Sequence, residues 1–75
     1  MNNQRRKEIK EIITRLGFIK KDLERIKDDE QDYYDNIPEN LQGSERAEMA
    51  EEIVNCLDET IEEMENILDN LEEII

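Results

Sequence analysis

The chain has 75 residues and a formal net charge of −12, with 43% charged residues, two glycines, one proline, one cysteine and no histidine or tryptophan. A chain of this length forms one small domain at most, and its charged, turn-poor composition favours long helices over a β-sheet. The negative charge argues against direct nucleic-acid binding, and the absence of a long apolar run argues against a membrane span or an export signal.

The first predicted helix spans about residues 3–34. Its apolar side chains recur at alternating steps of three and four residues, which is the a and d pattern of a coiled coil. These residues are Ile9, Ile12, Leu16, Ile19, Leu23, Ile26 and Tyr33. Only Glu30 interrupts the series, and a single polar residue in such a series can fix the register of a helix pair.

A turn is predicted over about residues 35–43. Pro38 disfavours helical backbone at Ile37, and Ser44 is suited to cap the helix that follows. We expect Ile37 and Leu41 to close the end of the apolar seam. The turn also offers a candidate partner-binding tip, formed by Tyr34, Asn36, Pro38, Leu41 and Arg46. The sequence leaves two interpretations open, a structural corner and a binding tip.

The second predicted helix spans about residues 44–74 and repeats the pattern. Its a and d residues are Ala47, Ala50, Val54, Leu57, Ile61, Met64, Leu68, Leu71 and Ile75. Residues 1–27 carry nine basic and four acidic side chains, while residues 28–75 carry one basic and 18 acidic ones. Folding the basic helix back on the acidic one brings opposite charges together. The predicted fold is therefore all-α, an antiparallel two-helix coiled-coil hairpin in which residues 1–75 form a single domain.

One edge of the predicted hairpin is charged. Matching the apolar positions of the two helices predicts three ion pairs along this edge: Arg6 with Glu72, Lys20 with Asp58, and Lys27 with Glu51. Exposed ion pairs contribute little to stability, so their predicted role is to select the alignment and direction of the helices.

The other edge is apolar and is wider than a two-helix seam requires. The residues assigned to this edge are Phe18, Met49, Ile53, Cys56, Ile67 and Ile74. A contiguous exposed apolar strip usually marks a partner site, and a second copy is the simplest partner. We therefore predict a homodimer that forms a four-helix bundle. A different protein partner and a lone hairpin are the alternatives.

The residues needed for catalysis are missing. With no histidine, one cysteine and one serine, the chain lacks a nucleophile paired with a base, so we predict no enzymatic activity and no catalytic residues. The acidic stretch DDEQD, residues 28–32, lacks the glycine and the terminal glutamate of a calcium loop. We predict no metal and no cofactor. The lone Cys56 is interpreted as a small apolar contact, and it favours a reducing compartment, hence a cytoplasmic protein.

The stretch YYDNIPENLQGSERAE, which begins at Tyr33, is followed by an acidic helix with repeated L-E-E units. It resembles a family of small, uncharacterised helical proteins from Firmicutes and their phages, which carry Y-D-N-x-P-E-x-L-Q-x-S-E-R with Ile or Leu at the first x. The resemblance covers roughly residues 33–75. It implies a phage or mobile-element setting in a bacterial host cell, and it supplies no biochemical activity.

Two functional hypotheses follow from these patterns. The first is a non-enzymatic protein–protein interaction module that dimerises and binds no membrane, with a host protein as a further possible partner. The alternative is an acidic nucleic-acid mimic that inhibits a DNA- or RNA-binding host defence protein. The residues assigned to the acidic face are Glu48, Glu52, Glu59, Glu62, Asp69 and Glu73.

Overall fold

A computed structural model describes all 75 residues and contains two long α-helices. Helix α1 spans Asn3–Asp35 and helix α2 spans Glu45–Glu73, and a short 3-10 helix, Glu39–Leu41, lies in the turn between them. The two helices pack side by side as a hairpin with dimensions of 60 × 15 × 12 Å. The predicted all-α fold and helical hairpin are confirmed. The predicted helix limits, 3–34 and 44–74, differ from the observed ones by one residue at three of the four ends.

Helix α1 is capped at both ends by asparagine. The side-chain oxygen of Asn2 accepts a hydrogen bond from the backbone N–H of Arg5 at 2.8 Å, which satisfies one of the unpaired donors of the first turn. At the other end, the side-chain amide of Asn36 donates to the carbonyl oxygen of Asp32 at 2.8 Å. Helix α1 therefore ends three residues before the position of Pro38.

The turn buries one of the two side chains that were expected to close the seam. Ile37 is buried, with 8% of its surface exposed, and its carbonyl accepts a hydrogen bond from the Gln42 side chain at 2.7 Å. Leu41 is 48% exposed, so its predicted place in the seam is wrong. The 3-10 helix directs Leu41 away from the seam toward solvent.

Helix α2 begins as the sequence predicts. The hydroxyl oxygen of Ser44 accepts a hydrogen bond from the backbone N–H of Ala47 at 3.3 Å. The acidic side chains of Glu45 and Glu48 lie in the first turn, where the positive end of the helix dipole stabilises negative charge. Gly43 has no positive φ, so the turn does not depend on backbone freedom that only glycine provides.

Helix α2 presents the predicted seam to α1 from Ala47 to Leu71, whereas Ile75, beyond the helix, is 38% exposed. Its four buried residues are Ala47, Ala50, Val54 and Ile61, and the half-buried Leu57, Met64, Leu68 and Leu71 continue the same row. The row keeps the alternating steps of three and four residues that place side chains on one helix face. The core of the hairpin is therefore supplied mainly by one face of α2.

Helix α1 is rotated relative to the prediction. None of its residues is fully buried, and the half-buried positions include Ile9, Ile13, Leu16, Lys20, Leu23, Lys27 and Tyr34. Four predicted seam residues are instead exposed: Ile12 at 39%, Ile19 at 50%, Ile26 at 44% and Tyr33 at 44%. Their predicted place in the seam is wrong.

The rotation of α1 has a physical cause in the four residues that directly follow its d residues, at positions 13, 20, 27 and 34. These are the e positions of the coiled-coil pattern. Ile13 and Tyr34 add apolar surface on this side of the helix, and both are half-buried. Between them, Lys20 and Lys27 lay their aliphatic stems on the seam while their ammonium groups reach acidic residues of α2, as long basic side chains commonly do. Contacts at the e positions therefore replace contacts at the d positions.

The ion pairs between the helices also differ from the prediction. The ammonium of Lys20 lies 3.2 Å from the carboxylate of Glu65, and that of Lys27 lies 2.8 Å from the carboxylate of Asp58. Each lysine thus pairs with an acid seven residues further along α2 than predicted. Glu51 has no lysine partner, and the predicted pair of Arg6 with Glu72 is not formed.

Candidate interaction surface

A row of exposed apolar side chains runs along α1. Its members are Ile12, Ile19, Ile26 and Tyr33. The spacing of seven residues keeps them on one line of the helix surface in a coiled-coil geometry. This row is the edge that the rotation of α1 moves out of the seam, so the exposed apolar surface is larger than the sequence predicts.

A second row of apolar side chains runs along α2. The exposed members are Met49 at 59%, Ile53 at 40%, Ile67 at 49% and Ile74 at 50%, together with the exposed thiol of Cys56. Ile53, Ile67 and Ile74 are separated by multiples of seven residues and therefore follow one edge. The structure thus leaves all five α2 residues of the predicted partner face accessible.

The two rows lie on the same side of the hairpin. Tyr33 of α1 and Met49 and Ile53 of α2 line one groove of about 540 Å³ near the turn. The floor of this turn-end groove includes the buried Ala50, and the charged side chains at its rim are Glu30, Glu45 and Arg46. The α1 row and the α2 row, joined by this groove, are called the apolar face below.

Phe18 lies outside the apolar face. It is 62% exposed, and the ammonium of Lys21 lies 6.0 Å from the centre of its ring. Phe18 is two residues from both Leu16 and Lys20, which face α2, and therefore projects from the far side of α1. The assignment of Phe18 to the dimer face assumed the unrotated helix and stays a prediction, apart from the apolar face defined above.

The turn forms a second groove, of about 510 Å³. Four of the five predicted tip residues line it: Asn36, Pro38, Leu41 and Arg46. Tyr34, the fifth, is half-buried in the seam, and Tyr33 lines the groove in its place. Tyr33 and Arg46 belong to both grooves, so the tip and the apolar face form one continuous surface.

The opposite edge of the hairpin is polar. Glu24, Lys27, Asp58, Glu62 and Glu65 gather there. A hydrogen bond to Glu65 raises the pKa of Lys20 above its ordinary value, and a hydrogen bond to Asp58 does the same for the pKa of Lys27. The charged lysines and carboxylates make this edge unsuited to apolar contact.

The six residues of the predicted acidic face are all exposed. They are Glu48, Glu52, Glu59, Glu62, Asp69 and Glu73. None of them takes part in an ion pair, because the α2 carboxylates that meet α1 are those of Asp58 and Glu65. The outer face of α2 therefore presents unpaired negative charge along most of the helix.

The hairpin contains neither a metal-binding cluster of side chains nor a helix able to span a membrane. No three acidic or cysteine side chains lie close enough together to hold a metal ion, and Cys56 is exposed and free of any disulfide. Neither helix combines the length and the apolar character that crossing a lipid bilayer requires. The apolar face, with its exposed isoleucines and its groove, is the main candidate site.

Comparisons with known proteins assign the chain to no family. No protein-family model matches it, and no curated protein and no solved structure shows significant similarity to it. The resemblance of residues 33–75 to proteins of Firmicutes and their phages stays a prediction.

Sequence reasoning missed the residues that decide the orientation of α1. Ile13 and Tyr34 share the same heptad position and both face α2, and Lys20 and Lys27 occupy that position between them. The signal was present as a row with apolar residues at its ends and long basic side chains in its middle. The capping residue Asn2 was also missed, although asparagine ahead of a helix is a common start signal.

Proposed function

We propose that the protein is a non-enzymatic protein–protein interaction module whose apolar face binds a second copy of the chain to form a four-helix bundle. The observation that carries this proposal is the apolar face, which extends over both helices and opens into the turn-end groove. A phage or mobile-element setting in the cytoplasm of a bacterial host is part of the proposal and is supported by the resemblance of residues 33–75.

The solvent-exposed surface area of the hairpin supports a second copy of the chain as the partner. The chain exposes 5874 Å², whereas a compact monomer of 9.0 kDa exposes about 4,900 Å² by the usual scaling with mass. The excess of roughly 1,000 Å² is close to the ~800 Å² that each partner contributes to a standard interface. One face of the hairpin, 60 Å long and 15 Å wide, has about the same area.

The burial of the core points in the same direction. Only five of the 75 residues are buried, and the only residue buried outside α2 is Ile37 in the turn. Small domains with so little buried apolar surface commonly need oligomerisation to be stable. Covering the apolar face would bury isoleucines of both helices and would turn a single seam into a four-helix core.

Sedimentation equilibrium tests this proposal. At tens of micromolar we expect twice the chain mass of 9.0 kDa. Ile67→Glu, which places a charge in the apolar face, is expected to give a monomer because burying an unpaired carboxylate is costly. Asn66→Glu adds the same charge on the exposed outer side of α2 and serves as the matched control. A wild-type monomer, or equal effects of the two substitutions, would contradict the proposal.

A second candidate function is an acidic mimic of nucleic acid that occupies the basic cleft of a host defence protein. Its support is the outer face of α2, where six exposed carboxylates have no cationic partner in the hairpin. Successive charges along a helix can approximate the spacing of phosphates along a duplex. The basic first turns of α1 weaken this field, which makes the mimic the second choice.

Competition with duplex DNA distinguishes the mimic from the interaction module. A mimic displaces DNA from a host DNA-binding protein, and its inhibition weakens steeply as salt is raised. Changing the six outer-face acids to glutamine would abolish this inhibition. Changing six acids at the turn end would leave it intact; these are Asp28, Asp29, Asp32, Asp35, Glu39 and Glu45. Equal inhibition by both variants would reject the mimic.

A further inference from the structure

The structure points to an antiparallel arrangement of the two copies, in which the turn-end groove of each hairpin receives the isoleucines at the open end of the other. This inference rests on the proposed self-association and adds the orientation of the partner and the occupant of the groove. We define the turn end as residues 28–48 and the open end as residues 1–10 together with residues 66–75.

The shape of the apolar face differs between its two ends. At the turn end the face is hollow, with a groove of about 540 Å³ that has Tyr33, Met49 and Ile53 in its walls. At the open end no groove is present, and Ile67 and Ile74 project from the surface with 49% and 50% exposure. One end is therefore concave and apolar, and the other is convex and apolar.

Packing density decides between the two possible orientations. In a parallel dimer both turns lie at the same end, so the two grooves face each other and enclose an unfilled apolar space. Empty space in an apolar interface forfeits dispersion contacts and destabilises the assembly. In an antiparallel dimer each groove faces the projecting isoleucines of the other copy. That arrangement fills both grooves with side chains of matching chemistry.

The distribution of charge favours the same orientation. The turn end carries eight acidic residues and one basic residue, whereas the open end carries four of each. A parallel dimer places two strongly negative ends side by side. An antiparallel dimer places each negative end beside an electrically balanced one, with Arg5, Arg6, Lys7 and Lys10 within it. Like charges held together oppose association, so the electrostatic energy is lower in the antiparallel dimer.

The helix lengths permit full overlap in this orientation. Helices α1 and α2 have 33 and 29 residues, so a hairpin turned end for end covers the whole apolar face of its partner. Each copy then contributes its convex end to one groove and receives the other copy in its own groove. A twofold axis near the middle of the hairpin relates the two contacts.

Distances between spin labels test the orientation. Cys56→Ser removes the native thiol, and Asn40→Cys or Asn70→Cys introduces a label at the turn or at the open end. Both positions are exposed, and neither lines a groove. In dimers labelled only at residue 40 we expect a separation close to the 60 Å length of the hairpin. In mixed dimers, one copy labelled at residue 40 and the other at residue 70, we expect a separation below half that length.

The opposite pair of distances would overturn the inference while leaving self-association intact. A short distance between two labels at residue 40 and a long distance in the mixed sample define a parallel dimer. Light scattering on the same labelled samples separates the two failures. A dimeric mass with parallel distances rejects the orientation alone, whereas a monomeric mass without dipolar coupling rejects both the orientation and the proposed self-association.

Discussion

The ammonium nitrogen of Lys27 lies 2.8 Å from the carboxylate oxygen Oδ1 of Asp58, across the middle of the hairpin. One heptad toward the open end, Lys20 repeats the contact with Glu65 at 3.2 Å. Two contacts with the same seven-residue step on both helices form a ladder along one edge. The ladder is consistent with the observed alignment of the two helices and with the rotation of α1.

Exchanging the charges of the first pair tests this alignment. Lys27→Glu is expected to lower the urea midpoint of unfolding slightly, because it replaces an attraction with a repulsion beside Asp58. Adding Asp58→Lys is expected to restore most of the loss. Adding Glu51→Lys to Lys27→Glu is the matched control and is expected to restore little. Full rescue by lysine at position 51 and none at position 58 would support the sequence-based alignment.

The dependence of stability on alkaline pH follows from the same contacts. Hydrogen bonds to carboxylates raise the pKa of Lys20 and of Lys27 above the ordinary value of 10.5. A lysine with a raised pKa in the folded state stabilises the hairpin fully below about pH 10.5, and this contribution is lost as the pH rises through the raised pKa.

Urea unfolding between about pH 9 and pH 12 measures this contribution. The double variant Lys20→Gln and Lys27→Gln is expected to show a smaller decline in midpoint over this range than the wild type. Lys7→Gln with Lys10→Gln changes the net charge equally, but these lysines form no ion pair across the hairpin. This control is expected to decline like the wild type. An identical decline in all three proteins would mean that the pairs add no pH-dependent stability.

The structure of α2 and of the turn agrees with the prediction from the sequence, because local signals determine both. Helix α2 presents its a and d residues from Ala47 to Leu71 to α1, and Ser44 caps it. The turn likewise agrees with Pro38, which disfavours helical backbone at Ile37, and α1 ends shortly before it, at Asp35. In these places one pattern dominates, so local reasoning suffices.

The orientation of α1 depends on a choice between two faces that its sequence supports about equally. Ile12, Ile19 and Ile26 form one row, whereas Ile13 and Tyr34 with the stems of two lysines form another. Which row faces α2 depends on the acids that α2 presents, and this is a tertiary relationship. The apolar face arises from the same choice, so periodicity within a single helix underestimates its extent.

The cap of α2 is expected to contribute measurably to stability. Ser44→Ala removes the hydroxyl that accepts the Ala47 N–H and is expected to destabilise the protein by about 1 kcal/mol. Ser44→Asp keeps an acceptor and places negative charge at the helix N-terminus, so it is expected to retain wild-type stability. Thermal unfolding monitored by circular dichroism gives both values. Equal losses in the two variants would show that the hydroxyl acts through something other than capping.

Glycine at position 17 weakens α1. A Cβ added to Gly17 meets no atom within 4 Å, and the residue lies inside a regular helix. Gly17→Ala is therefore expected to raise the free energy of unfolding by about 0.5–1 kcal/mol. Gly43→Ala, also in open space and without positive φ, is expected to be stabilising by about 0.4–1 kcal/mol. Destabilisation by Gly17→Ala would indicate a close contact at this position with a partner.

The two tyrosines offer a test of which side of α1 meets a second copy. Tyr33 lies in the apolar face and lines both grooves at the turn, whereas Tyr34 is half-buried in the seam of a single hairpin. The chain has no tryptophan, so Tyr34→Phe leaves Tyr33 as the only strong fluorophore, and Tyr33→Phe leaves Tyr34.

If the apolar face is the dimer interface, acrylamide quenching of Tyr33 should fall as the protein concentration rises through the dissociation constant. The reason is that association removes the tyrosine ring from solvent. Quenching of Tyr34 should change little over the same range. Concentration-dependent protection of Tyr34 and not of Tyr33 would place the dimer interface on the other edge of α1. The apolar face would then not be the surface through which the protein self-associates.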